Sequence, residues 1–241
     1  MVTGLDIFRS YFQDYPNDYV VIGGVACELA LKTMDLEFRG TNDFDIVVVS
    51  EMTAQGFGAA FKRFVNDGGY TVPPRKSNGR PTFFRYIDPK NHDFPSKLEL
   101  ATGQPSDDWK GNFAPLDAGD DHSSLSAILF SPGFYRFILD NAVVSNGISI
   151  MRLEGLIPLK CHAFRELSRQ DNPTPKTLAN IEKHRADIFR LAEALPTGKT
   201  FGLPDEVATS TAEALNLIAD HPASENEAEV LTMLRQFYGL L

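Results

Sequence analysis

Apolar and polar positions change their period several times along the chain, and each change predicts an element. Residues 19–22 (YVVI) are a short apolar run, read as a strand closed by Gly23-Gly24. Over 25–32, Val25, Leu29 and Lys32 recur at helical spacing with Ala26 and Ala30 beside them, which predicts a helix. Residues 44–49 form a β-branched run and predict a strand. Phe57, Ala60, Phe61, Phe64 and Val65 predict a helix over 53–66 that stops before Gly68-Gly69. Strands are predicted at 81–87 and 97–100, around the turn-forming DPKNHD. The segment 103–124, rich in Gly, Pro, Asp and Ser, predicts a long loop and a candidate flap. Short strands follow at 125–130, 134–139 and 147–151, the first two turned by Ser-Pro-Gly.

From residue 153 the pattern is helical: 153–167, with Pro158 inside as a kink or new start, then 174–195, 205–218 and 226–238. There is no internal repeat and no low-complexity tract. The expected fold is α+β: a mixed α/β unit over 1–152 followed by a helical unit over 153–241.

Composition sharpens this picture only in places. The chain has 241 residues, enough for one large domain or two modest ones. No apolar run approaches the length needed to cross a bilayer, and MVTGLDIFRS lacks the pattern of a leader, so a cytoplasmic protein with no membrane partner is expected. Cys27 and Cys161 form no C-x-x-C pair and are expected to be reduced and buried. His92, His122 and His162 show no metal-ligand spacing. A net charge of −9 argues against broad, nonspecific coating of nucleic acid. Within 152–190, however, eight Lys/Arg face five Asp/Glu. That local excess suits a site gathering a phosphate ligand, and it suits solubility equally well.

The chemistry concentrates between residues 19 and 49. Asp43 and Asp45 flank Phe44 at the start of an apolar strand, so alternation sends both carboxylates to one face and Phe44 to the other. Two like charges this close repel unless a cation joins them, and carboxylate oxygens suit Mg²⁺. Taken alone, the pair reads as well as exposed acids at a strand end. Gly23-Gly24 precedes a predicted helix, where backbone N–H groups and the positive end of the helix favour an anion. Taken alone it reads rather as a strand-to-helix turn needing unusual backbone angles. The combination of turn and acids points to a site. In KLEL, Glu99 shares a face with Lys97; it is either a third acid of that site or half of a solvated Lys97–Glu99 pair.

In this order the motifs resemble a known family. GG-x-A-x-x-L followed by R-G-T-x-D-x-D-I-V-V resembles the signature of the DNA polymerase beta nucleotidyltransferase superfamily. The closer likeness is to the AbiEii-type toxins of bacterial type IV toxin–antitoxin systems. KLELATG resembles that family's third acidic strand, and LEGLIPLKCHAF and IEKHRADIFRLAEAL resemble parts of its helical half. The likeness runs over 19–195. Gly-Gly stands where the superfamily more often has Gly-Ser, and Glu99 where it more often has Asp.

The resemblance implies a nucleotidyltransferase-type mixed β-sheet flanked by helices, then a helical C-terminal half. It implies transfer of a nucleoside monophosphate from an NTP to a hydroxyl of an RNA (tRNA) or protein acceptor. Asp43, Asp45 and Glu99 would be catalytic and would hold Mg²⁺, two ions, with Mn²⁺ as a substitute. Gly23, Gly24, Arg39, Thr41 and Lys160 would contact the nucleotide, although Arg39 reads also as a cap on the preceding segment. His184 and Asp187 would support the site from behind or lie on a helix surface. A cognate antitoxin protein is the implied partner. The alternative is a catalytically weak domain of the same type that binds a nucleotide or a partner.

Overall fold

The computed structural model describes residues 2–49, 56–73, 85–103, 113–116, 125–220 and 224–240. They divide into two units, Met1–Leu29 with Arg39–Met151, and Ala30–Phe38 with Arg152–Leu241.

The first unit is built on one mixed sheet. Its strands are β1 (Tyr19–Ile22), β2 (Asp43–Val48), β3 (Arg85–Ile87), β4 (Lys97–Gly103), β5 (Phe113–Leu116), β6 (Leu125–Phe130), β7 (Ala142–Ser145) and β8 (Ile148–Met151). Among the described residues their order is β5-β6-β4-β2-β1-β8-β7, with β3 paired to the first half of β4. The central strand β2 runs antiparallel to β1 and parallel to β4.

Aromatic packing fixes which way β2 faces. Helices α1 (Leu5–Phe12) and α3 (Phe57–Gly68) bury Phe8, Phe12, Phe57, Phe61 and Phe64. Phe44 is fully buried, with its ring 4.7 Å from that of Phe8, and Tyr19 stacks on Phe57 at 5.5 Å. Removing a buried Phe of this kind costs about 3–5 kcal/mol. Turning β2 over would forfeit that burial and plunge two carboxylates into the core, so the opposite face is committed to Asp43 and Asp45.

Four elements differ from the sequence expectation. Residues 134–139, expected as a strand, belong to helix α4 (Pro132–Asp140). Pro132 occupies its first turn, and Phe134, Phe137 and Ile138 are buried at helical spacing, so the apolar run has period 3.6 and not 2. β5 lies inside the segment expected to be a loop; residues 104–112 and 117–124 of that segment, and with them most of the candidate flap, lie outside the described residues. β7, which was not expected, forms a hairpin with β8 through Asn146-Gly147, both at positive φ (49° and 75°). Asn-Gly is the strongest short hairpin signal. α1 was also unassigned. The expected starts at 53 and 81 fall outside the described residues; α3 and β3 are described from Phe57 and Arg85.

The second unit is helical: α5 (Leu153–Ser168), α6 (Pro175–Ala192), α7 (Asp205–Ala219) and α8 (Glu225–Tyr238). Thr174 Oγ1 accepts from the Thr177 N–H at 3.1 Å and Pro175 opens α6, a favourable start for a helix. Ser224 Oγ accepts from the Glu227 N–H at 3.3 Å at the start of α8. α5 runs unbroken through Pro158. A proline has no N–H to give the carbonyl four residues back, here that of Glu154, and the Tyr238 hydroxyl donates to that oxygen at 2.8 Å. Leu156, Ile157, Ile188, Leu191, Leu215, Ile218 and Leu234 form the buried core. Helix α2 (Gly23–Lys32) leads from the first unit into the segment Ala30–Phe38 of the second, whose Glu37 carbonyl accepts from Arg190 Nε at 2.9 Å.

Both cysteines are free and buried, and burial pushes the Cys161 thiol well above its ordinary range. Among the described residues no helix is long and apolar enough to cross a membrane.

Candidate active site

With Phe44 locked in the aromatic layer, Asp43 and Asp45 emerge on the opposite face of β2, both partly exposed. Register then decides their neighbours: Asp43 lies opposite Lys97 and Asp45 opposite Glu99 on β4, while Ile22 of β1 lies opposite Asp45 on the other side. Residues in register share a face, so Asp43, Asp45, Lys97 and Glu99 form one surface. Arg85, opposite Glu99 on β3, joins it.

The Gly-Gly turn closes on the same surface. The chain leaves β1 beside Asp45 and turns at Gly23, whose φ is 68°, into α2. A Cβ at Gly23 would run into Asp45 Oδ2, and one at Gly24 would come within 2.7 Å of Thr41 Oγ1. Glycine is therefore required by close approach to these two side chains as well as by the backbone angle. The N-terminus of α2 carries open N–H groups and the positive end of the helix dipole, next to a carboxylate. Gly23, Gly24, Thr41, Asp43, Asp45 and Glu99 are thus brought together. Arg39 is half-buried in the segment leading into β2.

Two cations stand among the three acids. Lys97 Nζ lies 3.0 Å from Asp43 Oδ2 and 3.2 Å from Glu99 Oε2, and Arg85 pairs with Glu99 Oε1. Ser96 Oγ donates to the Asn42 carbonyl at 3.2 Å and lies 3.4 Å from Asp43 Oδ1. Partial burial disfavours the Lys97 ammonium, but Glu99, the Asp43 hydrogen bond and the charges of Asp43 and Asp45 outweigh it and raise its pKa. These pairs are half exposed, so each contributes at most about 1 kcal/mol to stability. Their consequence is local: Glu99 is engaged from both sides.

Among the described residues no three His, Cys, Asp or Glu side chains are grouped so as to hold a metal ion. Asp43 and Asp45 present the oxygen donors that a hard divalent cation takes. Glu99 would ligate only on release from Lys97 and Arg85.

The remaining candidates lie in the helical unit. Lys160 is 5% exposed and its Nζ sits 2.8 Å from Asp187 Oδ2, itself 2% exposed. The alternative of Asp187 on a helix surface is therefore corrected: Lys160 and Asp187 form a buried ion pair. His184, half-buried, lies one turn before Asp187 on α6.

No protein-family model matches the chain, and no curated protein does. Among solved structures, an antigenic nucleotidyltransferase-like protein from Paracoccidioides brasiliensis is 14% identical, with a TM-score of 0.47 over 96% of this chain and 95% of that one. At that level the likeness assigns no activity.

Sequence reasoning placed the acids and the turn but missed Arg85 and the reach of Lys97 to Asp43. A signal for Arg85 existed: in FFRYI it alternates with Tyr86, which is buried, and so belongs on the other face. Two clefts of the first unit lie elsewhere: one of about 320 Å³ lined by Tyr19, Leu139 and Val143, the other of about 400 Å³ lined by Val2, Leu5 and Asp93.

Proposed function

We propose that this chain is a metal-dependent nucleotidyltransferase that moves a nucleoside monophosphate from an NTP to a hydroxyl of an RNA, tRNA foremost, or of a protein. The supporting observation is the convergence of Gly23 on Asp45 and of Gly24 on Thr41, which makes the anion-favouring turn and the carboxylate pair one place. In this reading the N–H groups opening α2 donate to triphosphate oxygens, and Thr41 and Arg39 contact phosphate or sugar. The acceptor oxygen attacks the α-phosphorus as the bond to the bridging oxygen breaks, and pyrophosphate leaves. Glu99 takes the hydroxyl proton. Asp43 and Asp45 would hold Mg²⁺ or Mn²⁺, which would supply Lewis-acid polarisation and offset the phosphate charge. The residue pattern carries the finer reading of a toxin in a type IV toxin–antitoxin pair, with an antitoxin protein as partner.

A second reading, a domain that binds nucleotide without turnover, is favoured by one observation: Glu99 is engaged by Arg85 and Lys97. Incubation with each labelled NTP, Mg²⁺ and total tRNA or lysate separates the two. Label transferred by the wild-type chain but not by Asp43→Asn/Asp45→Asn supports the enzyme. Nucleotide binding by calorimetry without label transfer, lost in the double variant, supports the binding domain. Affinity unchanged in the double variant refutes both.

A further inference from the structure

Lys97, like Arg85, stands on the acidic face without a task in the reaction above. It is fixed by its strand: β4 pairs in parallel with β2, and the register sets Lys97 directly opposite Asp43. Its ammonium bridges Asp43 Oδ2 at 3.0 Å and Glu99 Oε2 at 3.2 Å, so it fills the corner between these two carboxylates. Arg85 holds the other oxygen of Glu99. Asp45 Oδ2 lies beside the Gly23 turn. Three carboxylates and two basic groups leave a single net negative charge on this face. One divalent cation at Asp43 and Asp45 would already turn the charge of these five side chains from −1 to +1. A second, at Asp43 and Glu99, would lie against the ammonium and meet like-charge repulsion in a partly buried setting.

We propose that Lys97 takes the place of a second divalent cation, so that the chain binds one, through Asp43 and Asp45, where a two-metal site would bind two. Lys97 is in this sense a positioning residue: it neutralises and holds Glu99 and half of Asp43. The proposal rests on the metal-dependent reading above.

The test counts Mn²⁺ bound per chain by electron paramagnetic resonance, with Mn²⁺ alone titrated into the wild-type protein, Lys97→Met and Asp43→Asn/Asp45→Asn. Thermal melts by circular dichroism establish that each variant is folded. The expected counts are one for the wild type, two for Lys97→Met, and none for the double variant. Two ions in the wild type overturn the proposal and leave the metal-dependent reading standing. None in the wild type overturns that reading and the proposal with it. One ion in folded Lys97→Met overturns the role given to Lys97. Should Lys97→Met fail to fold, Lys97→Gln replaces it, and the wild-type count is decisive alone.

Discussion

Tyr238 gives a sharp test of how the helical unit holds together. Pro158 is the sixth of the sixteen residues of α5 and cannot donate to the Glu154 carbonyl; the Tyr238 hydroxyl does so instead, at 2.8 Å. Tyr238 is 3% exposed, and burial raises its phenol well above the usual range, so the hydroxyl is a neutral donor. Tyr238→Phe keeps the ring and deletes the donor. The net loss of one hydrogen bond is about 1 kcal/mol, rising to about 1–3 kcal/mol where the acceptor is left buried and unmet. Pro158→Ala restores a backbone N–H aimed at the same carbonyl. The Tyr238→Phe cost should therefore shrink in the Pro158→Ala background, with a coupling of about 0.5–1.5 kcal/mol. Urea melts of the four proteins at matched m-values give the cycle, and hydrogen exchange of the α5 amides localises it. Additivity within about 0.3 kcal/mol would refute the substitution of one donor for the other.

Three further substitutions and titrations have definite expected outcomes. Gly23→Ala, at φ 68°, should lose about 1–2 kcal/mol and at least tenfold in nucleotide affinity; Gly198→Ala, at φ 70° with nothing within 4 Å, should show the conformational loss alone, and equal affinities for the two would refute the Asp45 contact. Lys160→Ala strands the buried Asp187 carboxylate and should destabilise the protein by about 3–5 kcal/mol, whereas an unchanged melting temperature would place the ammonium in solvent. Burial pushes the Tyr19 phenol up to about 12, above its unfolded value of about 10; its contribution is present below pH 10 and is lost as pH rises toward 12, so absorbance at 295 nm should show it titrating well above a free phenol in the folded protein.

The sequence-level reading succeeds where one local rule suffices. Alternation about Phe44 is enough to send Asp43 and Asp45 to one face, because an aromatic between two acids leaves one burial solution. Helical period is enough for α5 to α8: Leu153, Ile157, Cys161 and Phe164 on α5, and Leu231 and Leu234 on α8, are buried three or four residues apart. It fails at 132–140, where a run that is nearly all apolar hides its period and only Pro132 at the first turn betrays a helix. The β7–β8 hairpin was legible in Asn146-Gly147 and was passed over. The Pro158 gap could be anticipated, but not its donor, which arrives from a residue eighty positions away.

The candidate site divides along the same line. What a single strand decides was legible: the D-x-D pair, the face of Glu99, the turn before α2. What depends on register between strands was not. Shifting β4 by one residue would keep its sequence and its alternation yet put Leu98 opposite Asp45 and carry Glu99 into the aromatic layer. The native register instead sets Glu99 opposite Asp45 and Lys97 opposite Asp43. It is favoured because Leu98 and Leu100 are both fully buried on the side of Phe44 and Ile46. The same apolar preference thereby delivers a lysine to the acids. The cation within the acidic site is a by-product of burying two leucines.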